Sequence, residues 1–169
     1  KSAIYYYYRL IFRNLNGQTY SNWDDACKAS ISQAYASSFI LERTAQNTKL
    51  VINTTKAFLR DSVVFDKVQY NYPLSYYILL EACQNNFSLS VLDFGGALGS
   101  SYLYVTKTFS HFPLNFQWNI VEQPSYVAKG RELFCHDNSI FFYKTFQDMQ
   151  FDSIDLIILS GVLMYLSDP

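Results

Sequence analysis

Hydrophobic and polar positions follow two different rhythms along the chain, changing near residue 88. Before that point the spacing is helical and often interrupted. Ser21-Asn22-Trp23-Asp24 places a capping residue ahead of an acid three positions on, with Asp24 and Asp25 in the first turn, and predicts a short helix over 22–30. A second helix is expected over 37–59, broken near Asn47. Pro73 suits the first position of a third helix, whose turns are marked by Leu74, Tyr77, Ile78 and Glu81 and which ends at Asn85-Asn86. The apolar, tyrosine-rich stretch 4–12 is interrupted by Arg9 and is far shorter than the ~20 residues of a membrane span, so no integral membrane segment is expected.

After residue 88, short apolar runs alternate with helical patterns. Strands are expected over 89–93, 116–121, 140–143 and 154–160, and helices over 99–109 and 124–134, the latter opened by Pro124. Leu156-Ile157-Ile158-Leu159 is apolar on both faces, the pattern of a central parallel strand. Strands alternating with helices of this length imply βαβ units, hence an α/β fold with a Rossmann-like parallel sheet. The expected organisation is a helical region over 1–87 followed by a Rossmann-like domain over 88–169. With four strands the sheet looks incomplete, ending at Ser167-Asp168-Pro169 where a further helix would start, as if the chain were truncated. An exposed edge on such a sheet would favour a homodimer.

Composition narrows the chemistry. Half of the 169 residues are hydrophobic, and the 15 Tyr and 14 Phe are spread along the whole chain, which points first to packing rather than to an aromatic ligand surface. Lys and Arg total 13 against 14 Asp and Glu, with no basic run, so a nucleic-acid partner is disfavoured. Cys27, Cys83 and Cys135 are scattered and form no CxxC spacing. They suggest neither zinc nor a disulfide framework, but buried thiols in a reducing, cytoplasmic compartment. Two histidines without ligand spacing exclude a zinc site, and no metal is expected. There is no G-x-S-x-G elbow and no Walker loop. Cys135-His136-Asp137 are sequence neighbours, whose side chains rarely meet as a triad, and His111 and Asp137 are expected in loops.

The sharpest feature is Val91-Leu92-Asp93-Phe94-Gly95-Gly96-Ala97-Leu98-Gly99, an acid closing a buried strand before a glycine-rich turn that opens a helix. Glycine permits tight turns and close backbone approach, and in open α/β sheets ligands sit at the carboxyl ends of the strands. No register of these glycines gives the dinucleotide spacing G-x-G-x-x-G, and Asp93 would repel a pyrophosphate. A ligand with an ammonium and a sulfonium, such as S-adenosylmethionine, would be favoured by the same charge. Glu122, followed by Gln123, ends the second strand 23 residues after Gly99, where a carboxylate can accept both hydroxyls of a ribose. Ser160 and Gly161 end the fourth strand and leave room beside such a cofactor. Tyr165 beyond them suits core packing better than an acceptor pocket.

At these residues a resemblance becomes specific. Asp93 to Gly99 is similar to the first motif of class I S-adenosylmethionine-dependent methyltransferases, with Ala97 replacing a usual glycine, and Asp155 to Tyr165 resembles their fourth-strand motif. The chain also resembles a group of bacterial methyltransferases encoded among surface-polysaccharide (O-antigen type) genes, through Trp23-Asp24-Asp25-Ala26, Arg60-Asp61-Ser62-Val63, Val91 to Gly96, Val121-Glu122-Gln123-Pro124 and Tyr165 to Pro169. The resemblance implies methyl transfer from S-adenosylmethionine to a small-molecule or sugar acceptor. It assigns cofactor contacts to Asp93, Gly95, Gly96, Ala97, Gly99, Glu122, Gln123, Ser160 and Gly161. Tyr143-Lys144-Thr145-Phe146 departs from it by lacking the acid that binds adenine in many such enzymes, which leaves adenine to backbone groups and an aromatic face. No residue identifies itself as a general base. The competing readings are a catalytically silent nucleoside-binding module and, less well matched, an NAD-dependent oxidoreductase.

Overall fold

The structure, a computed structural model, describes residues 20–29, 37–55, 57–149 and 153–166. The chain divides into two compact units, Lys1–Tyr35 and Ala36–Pro169. The boundary expected near residue 88 therefore lies inside the second unit.

In the first unit, helix α1 (Trp23–Ala29) has its acids in the first turn. Its cap lies one residue later than the sequence suggests. Asn22 Oδ1 accepts from the Asp25 backbone N–H (2.9 Å), and Asn22 Nδ2 donates to the Asp25 carboxylate (2.9 Å).

The second unit opens with helix α2 (Ser38–Ile52), which buries Thr44, Ala45, Thr48 and Val51 along one stripe. The helix is not broken at Asn47. That side chain instead donates to the Ser62 carbonyl (2.8 Å). Nor does it reach residue 59. Asn53 caps it, and Thr54 and Thr55, poor helix formers, follow. The Lys107 ammonium then takes the carbonyls of Val51, Thr54 and Ala57 together, closing the helix end. A hairpin comes next, β1 (Phe58–Arg60) paired antiparallel with β2 (Val63–Phe65). Its two turn residues, Asp61 and Ser62, are both left-handed (φ 48° and 62°), as the twist of a two-residue hairpin demands. The Arg60-Asp61-Ser62-Val63 segment is this turn.

Helix α3 (Tyr72–Gln84) is capped by Asn71, which accepts from Leu74 N–H, with Pro73 in the first turn. Ile78 and Ala82 face inward, whereas Tyr77 stays exposed. Asn86 and Phe87, both at positive φ, reverse the chain into the sheet.

That sheet is built from β3 (Ser88–Phe94), β4 (Asn115–Val121), β5 (Ile140–Tyr143) and β6 (Leu156–Ile158). Helices α4 (Ser100–Thr108) and α5 (Pro124–Leu133) cross between the first three strands. All pairings are parallel and the order is β5-β4-β3-β6. The chain thus steps outward from β3 to β5 and returns to the other side of β3. Between β3 and β6 it makes the topological switch at which open α/β sheets leave a crevice. This is a mixed α/β fold with a four-stranded parallel sheet, compatible with a Rossmann-like architecture.

One face of the sheet carries Leu89, Val91, Trp118, Ile120, Ile140 and Phe142 into a core shared with α3, α4 and α5. The opposite face packs Leu92 and Val121 against Met149. It also buries Asn119, whose Nδ2 donates to the carbonyls of Val91 and Gln117. Strand β6 is shorter than expected and is not central. Among the described residues it pairs with β3 alone, and Ile157 is 58% exposed. The apolar pattern on both faces is thus not matched by burial on both faces, and the neighbour along the strand edge leaves no periodic trace.

Aromatic packing accounts for only part of the tyrosine content. Tyr102, Tyr104 and Tyr126 are buried, but Tyr70, Tyr72, Tyr76 and Tyr77 are exposed. Cys83 and Cys135 are free and exposed, contrary to the buried thiols expected. Among the described residues no helix is long and apolar enough to cross a membrane.

Gly130 on α5 lies flat against the sheet, where an added Cβ would fall 2.4 Å from the ring of buried Phe142. Alanine favours a helix interior by about 1 kcal/mol over glycine. Overpacking a filled core costs about 1–3 kcal/mol and outweighs that gain. Gly130→Ala is therefore expected to lower the urea midpoint, and an unchanged or higher midpoint would show that the ring moves aside at little cost.

Candidate functional site

The glycine-rich turn joins β3 to α4 above the switch point. Gly95 N–H donates to the Val121 carbonyl (2.9 Å), extending the β3–β4 ladder by one bond. Gly95, Ala97 and Gly99 are all left-handed (φ 72°, 48° and 77°), and Gly99 N–H closes the turn on the Gly96 carbonyl (3.0 Å). Each glycine makes room for another part of the same chain. A Cβ on Gly95 would fall 2.6 Å from Val162 Cγ2, one on Gly96 would fall 2.6 Å from the Asp93 carboxyl carbon, and one on Gly99 would fall 3.0 Å from Ile140 Cδ1. The glycines by themselves do not distinguish a ligand site from a tightly packed turn.

Asp93 is more informative. It is 2% exposed and sits directly beneath Gly96. The Trp118 indole N–H donates to its Oδ2 (3.3 Å), and the Ser101 hydroxyl is near enough to favour the ionised form. Both groups are neutral, and no cation pairs with Asp93 among the described residues. Burial pushes the carboxyl from 3.8 up to about 7, against the opposing pull of Trp118 and Ser101 and with a small push from Glu122. Its charge therefore acts on anything above the turn through the backbone of Gly96, not by direct contact.

Glu122 follows β4 directly. Its backbone N–H donates to the Tyr143 carbonyl (3.0 Å), fixing it at the carboxyl end of the sheet. Its half-buried carboxyl is raised by desolvation, opposed by the Gln123 backbone N–H, and it too has no ion-pair partner among the described residues. Gln123 is exposed and begins α5 as its cap residue.

Beyond β6, Ser160 and Gly161 are exposed. Gly161 is left-handed (φ 69°) and, unlike the turn glycines, has nothing within 4 Å of its Cβ position, so this side of the crevice is open. Asp155, at the head of the same motif, is structural. Its carboxylate accepts from Ser90 N–H (2.7 Å) and its own N–H donates back to the Ser90 carbonyl. Tyr165 is 50% exposed and not a core residue.

The structure thus gathers Asp93, Gly95, Gly96, Ala97, Gly99 and Glu122 at the carboxyl ends of β3 and β4, with Val162 closing over Gly95. Sequence reasoning missed Trp118, Ser101 and Val162. A parallel register with Trp118 opposite Val91 was the signal for the first. Phe94 stacks on half-exposed Phe146 (5.3 Å, 9° between planes), giving an aromatic surface beyond β5 where an acid is lacking. Asp148 follows, but its carboxylate accepts from the Thr145 N–H in a capping box. Cys135 and His136 are exposed, and Asp137 accepts from the Tyr102 hydroxyl (2.8 Å) and Ser139 N–H, so the three form no triad. Two cavities, of about 380 and 200 Å³, are not lined by the turn residues; one lies beside Phe58 and Lys107 and the other beside Arg131 and Asp137. No group of three metal-ligating side chains occurs among the described residues.

Holding Asp93 in this position costs stability above neutral pH. Between about pH 4 and 7 the folded chain keeps a proton that the unfolded chain has lost, so stability falls as pH rises through that window and the cost is complete above it. A shift of about three units corresponds to on the order of 4 kcal/mol. Asp93→Asn keeps the shape without the charge and is expected to match the native chain near pH 4 but exceed it by up to roughly that amount at pH 8. Parallel stability–pH curves for the two chains would show that Asp93 does not carry this cost.

No protein family, no curated protein and no solved structure matches the chain.

Proposed function

We propose that this chain forms the cofactor-binding part of a class I S-adenosylmethionine-dependent methyltransferase acting on a small-molecule or sugar acceptor. One observation carries the reading. Two carboxyls with no cation among the described residues, Asp93 beneath the glycine-rich turn and Glu122 at the next strand end, lie at the carboxyl ends of β3 and β4 beside the topological switch. Such a pair costs stability, and a ligand bearing positive charge beside a ribose would relieve it. When bound, S-adenosylmethionine supplies a methyl group on a sulfonium. The chain's own part is to hold and orient it. Glu122 would grip the ribose hydroxyls, and Gly161 leaves space at the opposite wall. Asp93 offsets positive charge from below the turn, and the Phe146 face offers a surface to a base.

NAD suits this arrangement less well, because its pyrophosphate would lie above a buried acid. Calorimetric titration with S-adenosylmethionine, S-adenosylhomocysteine and NAD at pH 8, alongside Glu122→Ala, tests the reading. Micromolar binding of the two sulfur ligands is expected, weakened by about 2 kcal/mol in the variant, as for loss of a charged hydrogen-bond partner. Binding of NAD alone, or of none of the three, would overturn it. Binding without turnover across a panel of sugar acceptors would favour the silent module.

A further inference from the structure

Among the described residues, the groups packed against Asp93 cannot neutralise it. Trp118 on β4 and Ser101 on α4 are neutral, β6 presents Ile158 in register, and the turn presents the Gly96 backbone. Among the described residues the one charged group that bears on it is Glu122, of the same sign. The carboxyl lies in van der Waals reach of the turn backbone, so a charge docked above Gly96 and a proton held below it compete across a single layer of chain. A cation within about 6 Å favours the ionised form of a carboxyl. Without such a cation, burial favours the protonated form.

We infer that cation binding on the glycine-rich turn expels a proton from Asp93, and that Trp118 is the positioning residue that holds this carboxyl ready to ionise. The inference rests on the cofactor reading above and adds to it a pH dependence of binding. Below neutrality the fraction of ionised Asp93 falls about tenfold per pH unit, and the affinity for a cationic ligand falls with it. Trp118 also serves as the reporter. It is wholly buried against Asp93, and the second tryptophan, Trp23, can be removed by Trp23→Phe.

In the Trp23→Phe chain, Trp118 emission is expected to change with a midpoint near pH 7, and Asp93→Asn should abolish that step. Added S-adenosylmethionine should move the midpoint down by at least one unit, with proton release seen by calorimetry in two buffers of different ionisation enthalpy. Trp118→Phe should shift the pH profile of binding upward by about one unit while leaving affinity at pH 9 within threefold. A merely structural tryptophan would weaken binding equally at every pH. Absence of the emission step, or ligand binding with an unmoved midpoint, overturns the inference and leaves the cofactor reading standing. Failure to bind even at pH 9, with Asp93 ionised, removes the cofactor reading and the linkage together.

Discussion

The carboxyl of Asp93, held under the glycine-rich turn by the Trp118 indole, is the contact around which this end of the molecule is organised. It fixes Gly96, because any side chain there would collide with it. Gly96 in turn accepts from Gly99 N–H where α4 begins. Trp118 carries the constraint into the core, meeting Tyr102 of α4 and Phe116 edge-on (both 5.7 Å). The turn, the first crossover helix and the middle of the sheet are thus tied to one buried acid whose burial opposes its charge. Real structures retain such local conflicts mainly where function demands them.

Much of the architecture was legible because parallel βαβ units write themselves in alternating periods. The expected β5 matches the observed strand residue for residue, and α5 begins at its proline as expected. The hairpin was not legible. Its strands have three residues each, too few to show a period, and its turn is Asp-Ser instead of the glycine-containing pairs that announce left-handed positions. The end of α2 was missed for a different reason. The group that closes it is Lys107, more than fifty positions further on.

At the candidate site, the sequence named the residues that end β3 and β4 but not which way they face. Asp93 ends its strand where a ligand-binding acid is expected, yet alternation turns its side chain to the same face as Val91 and Trp118, into the core. Gly95 and Gly99 invite a ligand by type but adjoin Val162 and Ile140. Glycine patterns record close approach without recording what approaches. The burial and pairing of the neighbouring charges carry that information.

The Lys107 ammonium, shared among three carbonyls at the end of α2, also constrains the order in which the chain can assemble. The Lys107 ammonium reaches those carbonyls only when α4 has docked. Closing that contact spans about fifty residues, and the entropy of so long a loop is lost before the contact rewards it. The closure of α2 onto the hairpin is therefore expected late in folding and early in unfolding. It would form on a sheet whose first crossover is already in place, even though the ribosome delivers both elements first.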